Sequence, residues 1–171
     1  MIGRMLGALL LWTLPYAAQA EPPWRIESFC HREVAADKRC LVRARQGIIT
    51  WRIAEMPVAP AVDWTGGVAV LRFASKTPVT MFYAPPNRVA GPFRDVLAVD
   101  VAKERIVRRA GPKTVEVRGL FDHRMLVRTE FAAVPRIIDA SFAGDMLVLR
   151  IRDANDRVVQ HRVPMVAGSV L

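Results

Sequence analysis

The sequence predicts an all-β fold, an antiparallel β-sandwich or barrel-like meander of roughly 10–12 short strands with one disulfide. Three observations predict it. Short runs rich in Val, Ile, Leu, Phe and Arg recur at regular intervals, and Gly, Pro, Asp and Asn punctuate them. No window carries a long apolar stripe at helical period. Two cysteines, Cys30 and Cys40, each fall within such a run.

Taken in chain order, residues 1–20 read as a cleavable secretory signal peptide, with Arg4 near the start, an apolar stretch over 5–12, and the small residues Ala18 and Ala20 before the cut. The apolar stretch falls well short of the roughly 20 residues that span a bilayer, and Glu21-Pro22-Pro23 ends it. Residues 21–171 are then a single exported domain, expected in a bacterial periplasm, with no transmembrane segment after cleavage. Strands are expected at 24–31 and 39–45, joined through 35–38. In an oxidising compartment the cysteine in each pairs with the other and staples this first hairpin. Further strands are expected at 48–54, 68–74, 79–84, 96–101, 105–109, 114–118, 125–131, 137–142, 146–152 and 158–163.

Turn residues separate them: Gln46-Gly47, Ala102-Lys103-Glu104, Gly111-Pro112, Gly144-Asp145 and the 153–156 segment. The stretch 98–109 has helix-compatible composition but reads as a hairpin. Pro57 and Pro60 mark 55–67 as a long connection, and Pro85, Pro86 and Pro92 mark 85–92 as a stiff loop. The hairpins around 96–109 and 146–163 look alike and resemble single blades of β-propellers, although a chain of this length falls short of the usual four or more blades.

The charge is +9, or +8 once Arg4 is removed with the signal, and only four of the 25 basic residues are lysine. Arginine forks bind carboxylate and phosphate in a bidentate manner, so an anionic partner is chemically accessible. Motifs for a serine-hydrolase elbow, a zinc protease, a phosphate-binding glycine loop and a redox Cys-x-x-Cys are missing. The 153–158 segment begins like a calcium loop but puts Arg157 and Val158 where an oxygen ligand and a glycine are needed, so it reads as a polar turn. His31, His123 and His161 sit on separate segments, and nothing in their spacing assembles a metal site. Asp122-His123 with Ser141 supplies triad residue types, but a carboxylate adjacent to the histidine on one backbone does not orient its imidazole as a triad demands. Glu116, Glu130 and Asp139 could supply a carboxylate pair for hydrolysis, which is the rival reading.

Two features point to binding. The segment 81–88, with Tyr83, paired prolines and Arg88, followed by Gly91-Pro92-Phe93, forms a preorganised contact surface unless strand alternation buries its aromatics. Arg118, Arg128, Arg150 and Arg152 alternate with apolar neighbours, so neighbouring strands would merge them into one basic sheet face. The expectation is a non-catalytic periplasmic binding domain without cofactor or metal. Its partner would be a protein, such as the target of an inhibitor or immunity protein, or an anionic envelope component. No specific nucleic-acid binding is expected.

Overall fold

Period-two alternation and short polar turns build, among the described residues, fourteen β-strands in four antiparallel sheets, each a meander of chain neighbours. The computed structural model describes residues 23–31, 39–153 and 155–165; the signal segment, the 35–38 connection and Ala154 lie outside the described residues. The first sheet holds β1 (Arg25–His31), β2 (Arg39–Gln46) and β3 (Ile49–Met56). The second holds β4 (Ala61–Thr65), β5 (Val68–Phe73), β6 (Val79–Ala84) and β7 (Arg88–Phe93). The third holds β8 (Val96–Asp100), β9 (Arg105–Gly111), β10 (Thr114–Gly119) and β11 (Met125–Glu130). The fourth holds β12 (Arg136–Ala143), β13 (Met146–Arg152) and β14 (Val158–Pro164).

The sheets stack face to face through three separate cores. Val42, Ala44 and Ile53 meet Ala69, Leu71, Phe73, Met81 and Tyr83 between the first and second sheets. Val68, Val70, Phe82 and Phe93 meet Ile106 and Leu120 between the second and third. Val107, Val115, Val117 and Val127 meet Leu147, Leu149 and Val163 between the third and fourth. The middle sheets are apolar on both faces, which is why β5 and β6 read as nearly unbroken apolar runs. On β5, Ala69 and Leu71 face one neighbour while Val68 and Val70 face the other. Each fully buried Leu or Phe contributes about 1.5–3 kcal/mol, so the cores hold the stack together. Among the described residues no core joins the fourth sheet to the first, so the stack is open.

Cys30 and Cys40 lie directly opposite each other on β1 and β2 and are joined by a disulfide. The 98–109 stretch is the β8–β9 hairpin, as expected. Two segments read as connections are strands. The 55–67 segment contains β4, and the 85–92 segment runs into β7. Both are edge strands, so each makes a ladder on one side only. An edge tolerates the missing N–H of Pro92 and leaves β4 too exposed to show alternation. Strands of five to eight residues fit four sheets between Arg25 and Pro164.

Candidate functional site

Strand register builds a charged cluster on the third sheet. Val115 and Val117 of β10 enter the third core, so Glu116 and Arg118 point to the opposite face. Glu116 stands opposite Arg108 of β9 on one flank and Arg128 of β11 on the other. The residue is only 4% exposed. Glu116 Oε2 accepts from Arg108 Nη2 at 3.2 Å and Arg118 Nε at 3.0 Å, and Arg128 Nη1 lies 4.0 Å from Oε1. Burial alone would push this carboxyl pKa up, but the hydrogen bonds and charges of Arg118 and Arg108 outweigh it and hold the group below its ordinary value. Three guanidiniums thus share one carboxylate, and the surplus is positive.

A cavity of about 310 Å³ opens beside the cluster, lined by Gly91, Pro92, Phe93, Arg108, Arg118 and His123. The His123 ring lies 5.6 Å from that of Phe93, and its carbonyl accepts from Arg118 Nη1 at 3.2 Å. Gly91 brings the chain close to β6. With φ at +109°, a Cβ there would sit 2.9 Å from the Thr80 carbonyl oxygen, so only glycine fits without displacement.

A second cluster is structural. Arg105, at the start of β9, is nearly buried and donates to Asp100 at 2.6 Å and to the Gly144 carbonyl at 3.1 Å. Its guanidinium lies 4.7 Å over the Phe142 ring, and Lys103 reaches Asp145 at 2.8 Å. These contacts lock the third sheet to the β12–β13 turn. The grooves between the leading strands β4, β8 and β12 are lined mainly by Thr, Ser and apolar residues, with Asp100 already bound to Arg105.

The sequence-derived binding residues separate into three places. Arg118 and Arg128 meet at Glu116. Arg150 and Arg152 lie instead on the outer face of the fourth sheet, where they pair with Asp139 at 2.9 Å and Asp156 at 3.0 Å. The single basic face is therefore corrected: the two pairs belong to different sheets and point away from each other, with the third core between them. Tyr83 is also corrected as a contact residue. It is fully buried, its hydroxyl donates to the Pro86 carbonyl at 2.5 Å, and burial raises its pKa to about 12. Arg88 is half exposed but engaged. It grips Glu104 through two 2.7 Å bonds and lies 4.1 Å over the Phe121 ring, tying the second sheet to the third.

Of the residues weighed for catalysis, Glu116 is clamped by arginines, Asp139 by Arg150, and Asp122 by the Arg124 amide. His161 rests against Phe131, far along the chain from His123 and His31. Among the described residues no group of three or more His, Cys, Asp or Glu is placed to hold a metal ion. Arg108 was the site residue that alternation did not single out, whereas Phe93 belongs to the aromatic and proline-rich segment read as a contact surface. Arg108 follows two buried valine and isoleucine positions, and only its register opposite Glu116 reveals its role.

No protein-family model and no curated protein matches the chain. Among solved structures, the crystal structure of the computationally designed Ika8 protein is 13% identical, with a TM-score of 0.45. The match covers 84% of this chain and 47% of the designed one, so the chain spans about half its length. At that TM-score the likeness carries no argument.

Proposed function

We propose that this is a non-catalytic binding domain of the bacterial envelope, exported to the periplasm, which holds an anionic partner at the Arg108–Arg118–Arg128 cluster. The observation that carries the reading is the charge imbalance there: three guanidiniums on one buried carboxylate beside an open cavity. Such a surplus attracts anions, and arginine forks add directional bonds. Export is supported by the Cys30–Cys40 disulfide, since such bonds are rare in reducing compartments. The hydrolase alternative draws no support from Glu116, because a general acid needs a raised pKa and this one is lowered.

The test is retention on an anionic matrix as salt is raised. Retention should weaken with salt, and Arg128→Glu should weaken it further, because Arg128 is exposed and holds Glu116 least closely. Retention of Arg128→Glu equal to that of the unaltered protein would refute the reading.

A further inference from the structure

We propose that the cavity bounded by Phe93, Arg108, Arg118 and His123 is a phosphate-binding site; this deepens the anion-binding reading and rests on it. The donors are held in place before any ligand arrives. Arg118 is fixed at two points, by Nε on Glu116 and Nη1 on the His123 carbonyl. Arg108 is fixed through Nη2 on the same carboxylate. Each guanidinium has five N–H donors, so both keep donors that meet no acceptor among the described residues. His123 adds an imidazole at the cavity wall, held by its ring contact with Phe93 and by a left-handed backbone at φ 58°.

The arrangement favours phosphate over a carboxylate. A carboxylate offers two oxygens along one edge, which a single arginine fork satisfies. Here two forks on neighbouring strands and an imidazole surround one space, and a tetrahedral phosphate presents oxygens to all three. The volume of about 310 Å³ lies at the small end of ligand cavities, sized for a headgroup and not for a large molecule. The same phosphate chemistry is available as a free ion or on a lipid headgroup.

The experiment titrates the purified protein with sodium phosphate against sodium chloride at constant ionic strength, following the arginine Hε and His123 ring signals by NMR. Phosphate should shift Arg108, Arg118 and His123 saturably, and chloride should not. Arg118→Gln and His123→Gly should each weaken binding about tenfold, the loss of one charge-assisted or well-placed hydrogen bond. His123→Gly guards against misfolding, because it removes the ring while glycine accepts the left-handed backbone. A second arm uses vesicles of phosphatidic acid against phosphatidylcholine. Where phosphate is bound, binding to phosphatidic acid but not phosphatidylcholine vesicles identifies a lipid source, and no vesicle binding identifies the free ion. Equal response to phosphate and chloride, or unchanged binding in both variants, overturns the proposal. If salt-sensitive retention on an anionic matrix persists in that case, the phosphate assignment falls and the broader reading stands.

Discussion

The Arg105 guanidinium lies over the Phe142 ring, its carbon 4.7 Å from the ring centroid, and this contact joins the third sheet to the fourth. The same guanidinium donates to Asp100 and to the Gly144 carbonyl, so one side chain serves the β8–β9 hairpin and the β12–β13 turn together. Lysine has no planar guanidinium to lie over the ring while one nitrogen serves both acceptors. Arg105→Ala should therefore cost about 3–5 kcal/mol in urea unfolding, because Asp100 loses its charge partner in a mostly buried site and keeps the Lys103 amide bond. Arg105→Lys should recover less than half of that. Full recovery by lysine would reduce the role of Arg105 to point charge.

Acid should destabilise the protein through Glu116 and Asp100. In both, burial would raise the pKa, but the arginine hydrogen bonds and charges outweigh it, so the folded-state pKa is lowered. A depressed folded pKa contributes stability that is fully present above the unfolded value and is lost as pH falls through the folded one. Stability should hold from neutral pH to about pH 5 and decline below about pH 4. Glu116→Gln is expected to be less stable than the parent at pH 7, and the gap should close as pH falls below about pH 4. A gap that stays constant down to strong acid would show that Glu116 contributes through shape alone.

Reduction of the disulfide should lower stability by about 2–3 kcal/mol without abolishing the fold, since the cross-link closes a short loop at the rim of the stack and three cores remain. Cys30→Ala with Cys40→Ala, followed by thermal unfolding, measures it. Complete loss of structure would mean that the β1–β2 pair nucleates the first sheet.

The fold was legible wherever burial left a pattern. Leu147, Leu149 and Ile151 against Arg150 and Arg152 gave β13 its face correctly, and the unbroken runs of β5 and β6 marked strands covered on both sides. β4 was hidden because every residue from Ala61 to Thr65 is exposed, so no alternation was left to read. β7 was hidden because Gly91 and Pro92, usual breakers, are tolerated at a sheet edge. The candidate site was half legible. Alternation placed Arg118 and Arg128 outward on their strands, but sheet membership decides which outward faces merge. That depends on contacts between residues far apart in sequence, and so Arg150 and Arg152 were joined to the wrong pair.

Gly91→Ala should destabilise by about 1–3 kcal/mol, because the added methyl meets the Thr80 carbonyl oxygen in a left-handed backbone. The same change should distort the cavity wall formed by Pro92 and Phe93. Gly144→Ala provides the comparison: its backbone is also left-handed, at φ 59°, but nothing lies within 4 Å of the added carbon. Gly91→Ala should therefore be the more costly of the two, and equal costs would assign the whole effect to backbone conformation.

Reversal of Arg150 and Arg152 to Glu separates local from global charge. Their pairs with Asp139 and Asp156 are solvent-exposed, and such pairs contribute roughly 0–1 kcal/mol each. The double variant should remain folded, losing no more than about 2 kcal/mol once the new like-charge contacts with those aspartates are counted. It removes more positive charge than Arg128→Glu does, but from the far side of the third core. If attraction to an anionic partner followed net charge alone, the double variant would lose more retention than Arg128→Glu. If the cluster at Glu116 is the binding face, Arg128→Glu should lose more, because local potential decays within about 10 Å at moderate salt. Salt-gradient elution of the two variants side by side decides between them, and a larger loss in the double variant would show that retention follows net charge and would refute the cluster at Glu116 as the binding face.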